Sequence, residues 1–164
     1  MTDRQIQIAF KEHQTLDELP DADRQLCLEA EKAFATSYSP YSNFKVGAAL
    51  QLQSGKVLHA SNQENVAYPS GLCAERVALF HWGSSHANDP ILTMAVTAHT
   101  DEFKLVKPVT SCGACLQVMA ECEKMQGSPI RVLLYCLNGI VWEVTGVQSF
   151  LPFLFFEDRL THNL

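Results

Sequence analysis

Three cysteines and one glutamate carry the most chemistry in this sequence. Cys112 and Cys115 stand in SCGAC, with the C-x-x-C spacing that lets two thiols at a loop-to-helix junction reach one metal ion. Cys73, in LCAER, stands at the start of a second expected helix. Three thiolates on zinc leave one of its four tetrahedral positions open. An open position admits water and marks a catalytic rather than a structural site. Helix N-termini suit such ligands, because their unpaired N–H groups and positive dipole end favour thiolate over thiol. Glu75 follows Cys73 by two residues. Its carboxylate need not bind the metal; it can take a proton from activated water and pass it on. Arg76 comes next. Zinc on three thiolates is electron-rich, and a guanidinium donating to a thiolate offsets part of that charge, a role assigned here to Arg76.

A lone C-x-x-C is moderate evidence for a metal, and a lone C-x-E is almost none. Their coincidence at two separate helix starts is far more specific. The plainer reading, a small buried hydrophobe, suits Cys27, Cys122 and Cys136, which lie in apolar periodic segments.

The elements that must position these groups follow from periodicity. Residues 4–14 alternate, with Ile6, Ile8 and Phe10 on one face, and predict a strand. Asp21 or Asp23 is placed to cap a helix running to about Thr36. SPYSN (39–43) is a loop by composition. Residues 45–53 and 56–62, split by Ser54-Gly55, predict a hairpin. Residues 65–71 read as a loop, the segment from Cys73 as a helix ending at Gly83, and 91–98 as a strand. A helix is expected over 113–124, then strands at 130–137 and 140–145 joined by Asn138-Gly139, then an aromatic tail. Buried strands with interleaved helices imply a sheet covered on both faces.

Composition bounds the partners. The chain has 164 residues, enough for one domain with a real core, here 1–164 with 1–20 as an N-terminal extension. Its 18 acidic residues outnumber 12 basic ones, for a net charge of −6, and no basic run appears. Polymeric nucleic acid is therefore a poor expectation, and a small uncharged substrate a better one. No secretory signal or membrane-spanning apolar run is visible, so no membrane partner and a cytoplasmic setting are expected. There thiols stay reduced, and the six cysteines point to metal binding or core packing rather than disulfides.

SPYSNFKVGAAL (39–50), NQENVAYPSGLCAER (62–76) and SCGACLQVMAE (111–121) together resemble the small cytidine deaminases with three cysteine zinc ligands. More loosely, the tail around FLPFLFFED joins them. The resemblance implies an α/β fold: a three-layer α/β/α sandwich around a mixed five-stranded sheet. It implies one zinc per subunit and a homo-oligomer, a tetramer or a dimer, with active sites built across subunits. The implied reaction is hydrolytic deamination of cytidine and deoxycytidine in pyrimidine salvage. By position, Asn62 and Glu64 resemble the pair that grips the ribose hydroxyls, and Phe44 the aromatic beside the pyrimidine. Ala74 would offer its backbone N–H to the base carbonyl, and Thr110 its backbone C=O to the leaving amine. Phe155 resembles a tail Phe that stacks on a neighbouring subunit's base.

Three features depart from that pattern. Ser111 stands where Pro is expected before the cysteine pair, which predicts a looser ligand loop. Leu116 stands where a second charge-offsetting Arg is expected, which predicts slower turnover or a compensating donor. Residues 1–20 are longer than expected, and their strand has no assigned partner beyond a sheet edge or a subunit contact. Two rival readings stay open: deamination of another aminated heterocycle such as a blasticidin S-like nucleoside, and a non-catalytic zinc protein. The second would need a fourth protein ligand, with His59, His81, His86 and His99 as candidates.

Overall fold

The computed structural model describes residues 1–156; Glu157 and Asp158 of the tail motif lie outside them. The elements follow the expected order. They are β1 (Lys11–His13), α1 (Asp21–Lys32), β2 (Lys45–Leu52), β3 (Val57–Ser61), α2 (Ala74–Ser85), β4 (Ile91–His99), α3 (Gly113–Gln126), β5 (Arg131–Tyr135) and β6 (Val141–Thr145). The sheet order is β1-β6-β5-β4-β2-β3. β4 and β5 are parallel and every other pair is antiparallel, so the sheet is mixed.

Period-two alternation sorts the side chains onto two faces. Ala48, Leu50, Met94, Val96, Val132 and Leu134 face a core with Leu79 and Trp82 of α2 and Leu116 and Met119 of α3. Ala49, Ala95, Leu133 and Val141 face the other way, against Leu26, Cys27 and Ala30 of α1. The outcome is the expected three-layer sandwich. Gly47 lets α1 approach: a Cβ there would sit 2.0 Å from the Ala30 carbonyl oxygen. Asp23 fastens the same layer from below, accepting from Arg131 Nη1 and Nη2 at 2.6 and 2.5 Å.

Four expectations need correction. The sheet has six strands, not five, because β1 adds to the β6 edge. That strand covers only Lys11–His13 rather than 4–14, with Lys11 opposite Glu143 and His13 opposite Val141. Ile6, Ile8 and Phe10 stay about half exposed, since periodicity alone cannot supply a pairing edge. Neither Asp21 nor Asp23 caps α1: the cap position is Pro20, both aspartates lie inside the first turn, and Ala33–Thr36 is a 3-10 turn rather than more α-helix. Finally, α2 runs past Gly83 to Ser85, an isolated glycine being a tolerable cost within a packed helix.

The topology places the site. β3 and β4 run in the same direction, each antiparallel to β2. The chain leaves their carboxyl ends and enters α2 and α3, which pack together on one face. Both helix N-termini therefore meet beyond the carboxyl edge of the sheet, where open α/β folds place their ligands.

Candidate metal centre

Cys73 is the N-cap residue of α2, Cys112 is the N-cap residue of α3, and Cys115 lies in the first turn of α3. Both caps are extended, with ψ of 154° and 161°, and neither side chain caps its own helix. The thiols are thus free to turn toward each other. Cys73 Sγ lies 3.8 Å from Cys112 Sγ, and Cys112 Sγ lies 3.4 Å from Cys115 Sγ. All three sulfurs fall within 4.8 Å of one another. Zn–S bonds of about 2.3 Å in a tetrahedron separate two sulfurs by about 3.8 Å. The cluster therefore fits a zinc ion, and these spacings are far longer than the S–S bond of a disulfide, about 2.05 Å. No histidine joins the cluster among the described residues. His59 faces Glu29, His86 faces Lys56 and the ring of His81, and His99 faces Asp101.

Charge is unevenly shared among the thiols. Cys73 is pulled down to about 5, first by hydrogen bonding with Cys115 and then by the Arg76 guanidinium, against burial, which raises it. Cys115 is pushed up by its bond to Cys73, by burial and by the Glu75 charge. The guanidinium of Arg76 donates to the Gly71 carbonyl at 3.4 Å, and its charge bears on both Cys73 and Cys115.

Glu75 is the second residue of α2, within its first turn, and is 4% exposed. Burial is the main cause that raises its pKa; the negative charge on Cys73 adds to it. A buried carboxyl beside a metal site suits proton transfer.

A cavity of about 750 Å³ opens beside this corner. Phe44, Asn62, Glu64, Cys73, Glu75, Arg76, Thr110 and Cys112 all line it, so eight of the expected site residues converge on one space. Ala74 is buried behind it at the first position of α2, where a backbone N–H has no partner within the helix. Phe155 does not line the cavity. It is 71% exposed, and Gln117 grips its backbone from both sides, donating to its carbonyl at 2.8 Å and accepting from its N–H at 3.3 Å.

Asn62 and Glu64 do more than face the cavity. Asn62 Oδ1 accepts from Ser37 Oγ at 2.6 Å and from the Val46 N–H at 2.8 Å, while its Nδ2 donates to the Phe44 carbonyl at 2.8 Å. One amide N–H is left for a ligand. The Glu64 carboxylate accepts from the Tyr41 N–H at 2.9 Å and from the Ser42 hydroxyl. Burial would raise its pKa, but these bonds hold it below the usual carboxylate range. Phe44 stacks on Phe103, with ring centres 6.3 Å apart.

Sequence reasoning missed the apolar wall of the cavity, made by Val46, Leu72, Val96, Ala98 and Val109. In the chain these read only as strand or loop residues. It also missed Ser37 and Ser42, whose hydroxyls orient Asn62 and Glu64; for Ser42 the Ser-rich SPYSN loop was the available signal.

The profile of the cytidine and deoxycytidylate deaminase zinc-binding region matches residues 20–127, which hold the whole metal cluster. The chain belongs to this family. It is 42% identical over 131 residues to a cytidine deaminase of Halalkalibacterium halodurans, covering 79% of this chain and 92% of that one. It is 40% identical over 138 residues to a cytidine deaminase of Sporosarcina psychrophila, covering 84% and 94%. Among solved structures, it is similar to a cytidine deaminase from Burkholderia pseudomallei, with a TM-score of 0.69 and 36% identity over 80% of this chain and 97% of that one. Cytidine deaminase membership makes this a zinc-binding hydrolase, and Cys73, Cys112 and Cys115 form a cluster that fits the ion. The family profile begins at residue 20, after β1.

Proposed function

We propose that this family member hydrolyses the exocyclic amine from cytidine and deoxycytidine, giving uridine and deoxyuridine and releasing ammonia. Cys73, Cys112 and Cys115 would hold zinc, which would supply a Lewis acid able to make a water acidic near neutral pH. Glu75 takes one of that water's protons to N3 of the ring, and then carries the water's second proton, from the hydroxyl now on C4, to the departing amine. The oxygen of water ends on C4 in place of nitrogen. Thr110, through its backbone carbonyl, receives the leaving amine, and the free N–H of Ala74 receives the base carbonyl. Asn62 and Glu64 bind the sugar hydroxyls, an amide donor beside a carboxylate acceptor. Phe44 flanks the ring.

The observation that carries this reading is Glu75, a buried carboxyl with raised pKa that lines the same cavity as two of the three sulfurs. The rival reading, a structural zinc with four protein ligands, lacks its fourth ligand among the described residues.

Exposed Phe153, Phe155 and Phe156 favour a homo-oligomer, a tetramer first, in which Phe155 reaches a neighbouring subunit's base. Three thiolate ligands favour a reducing, cytoplasmic setting and a place in pyrimidine salvage. No helix among the described residues is long and apolar enough to cross a membrane. The test is a panel of aminated nucleosides and bases, followed by ultraviolet absorbance. Loss of the amine from cytidine and deoxycytidine is expected; inertness toward every cytosine compound overturns the proposal.

A further inference from the structure

The loop that carries Phe44 meets a second loop beside the cavity. That second loop, residues 100–112, joins β4 to α3 and brings Thr110 and Cys112 into the cavity lining. Earlier in the same loop, Phe103 lays its ring against that of Phe44, with centres 6.3 Å apart and planes 28° from parallel. One residue before each ring, Asn43 Nδ2 donates to Glu102 Oε1 at 3.1 Å. Two consecutive residues of one loop thus grip two consecutive residues of the other.

Phe103 is 59% exposed and does not line the cavity itself. A ring this exposed adds little to a core; what it offers is a face for Phe44. The main chain of Phe44 is held by other means. Its N–H donates to Ser42 Oγ at 3.0 Å, and its carbonyl accepts from Asn62 Nδ2 at 2.8 Å. Those bonds fix the backbone and leave the side-chain torsions of Phe44 open. Rings with centres about 4.5–7 Å apart attract one another when offset-stacked, so Phe103 selects among those torsions. Its own support is independent of Phe44. Cys136 Sγ lies 3.6 Å from the Leu105 carbonyl, and Asn138 Nδ2 donates to the Val106 carbonyl at 3.1 Å, so the turn between β5 and β6 anchors the loop.

We propose that Phe103 is a positioning residue for Phe44. It holds the Phe44 ring in the orientation that flanks the pyrimidine, and it ties that wall to the loop that delivers Cys112. This rests on the ring-flanking role given to Phe44 above.

The test compares Phe103→Ala and Phe103→Tyr with the parent enzyme, and repeats Phe103→Ala in a Phe44→Ala background. Phe103→Ala is expected to raise KM for cytidine about three- to tenfold, the worth of one aromatic pair, with kcat within about twofold. The Kd of uridine, read by titration calorimetry, weakens by a similar factor. Phe103→Tyr keeps the ring and keeps the parent KM. Where Phe44 is already alanine, Phe103→Ala adds no further increase. Parent-like KM in Phe103→Ala overturns the proposal. So does a tyrosine variant as weak as alanine, or an equal increase in the Phe44→Ala background, which would show an effect not carried by the ring pair. A fall in kcat as large as the rise in KM also overturns it, since that marks general damage to the site. Failure of the underlying reading shows differently: Phe44→Ala alone would keep the parent KM, and the proposal would fall with it.

Discussion

The two sides of the cavity are built by different means. The reaction side stands on the first turns of α2 and α3, which lock together over the buried core of Leu79, Trp82, Leu116 and Met119. Its geometry is set by packing, and a shift of either helix must disturb both. The side proposed to hold the sugar hangs from the loop between the 3-10 turn at Ala33–Thr36 and β2. Its shape is held by polar side chains: Asn62 bonds three partners, Ser37, Phe44 and Val46, and Glu64 holds Tyr41 and Ser42. A rigid corner serves bond-breaking, where small displacements are expensive. A hydrogen-bonded loop serves recognition, where one bond can be traded for a ligand's.

Substitutions on the two sides should therefore fail in different ways. The largest effect is expected at Glu75. Glu75→Gln keeps the fold and the zinc but loses kcat by roughly 10²–10⁴-fold, the range of a general acid–base group. Metal analysis beside steady-state kinetics checks this, and retained turnover would dissolve the distinction between the sides. On the sugar side, Asn62→Ala removes three loop bonds and is expected to cost about 2–3 kcal/mol of stability. It should raise KM more than it lowers kcat, as thermal melting and kinetics would show.

Glu64 adds a pH signature. Its folded pKa lies below the ordinary value, so its contribution to stability is present above the unfolded pKa and lost as pH falls through the folded one. Melting curves of the parent should lose stability on acidification over that window, and Glu64→Gln should remove this part of the dependence. An unchanged curve would place the loop's anchor elsewhere.

Leu116→Arg probes whether charge limits the rigid side. Leu116 is 6% exposed within the apolar core, so an arginine there must leave that packing to reach the thiolates. A kcat gain below about tenfold is expected, together with a lower melting temperature. An unchanged pH–rate profile would mean that Arg76 already offsets the thiolate charge. The smallest effect is expected from deleting residues 1–14. β1 covers the β6 edge, where Lys11 and His13 meet Glu143 and Trp142 donates to Glu12 at 2.8 Å. These groups are remote from the cavity lining. Melting temperature should fall by a few degrees while kcat/KM holds.

The reaction side was legible because its chemistry is local. A C-x-x-C and a C-x-E at helix starts state both residue type and spacing. The sugar side was legible only as positions. That Asn62 spends three of its hydrogen bonds on the loop depends on Ser37 and Phe44, 25 and 18 residues away in the chain. The N-terminal alternation of Ile6, Ile8 and Phe10 overstated the strand, because pairing depends on how much edge β6 presents.

The sequence by itself determined the type and spacing of the three cysteines and Glu75 and the order of strands and helices along the chain, since each is written within a few residues. The tertiary structure decided what depends on long-range packing. The parallel course of β3 and β4 brings two helix N-termini to one corner. The strand faces line the cavity wall, and close approach to α1 requires Gly47.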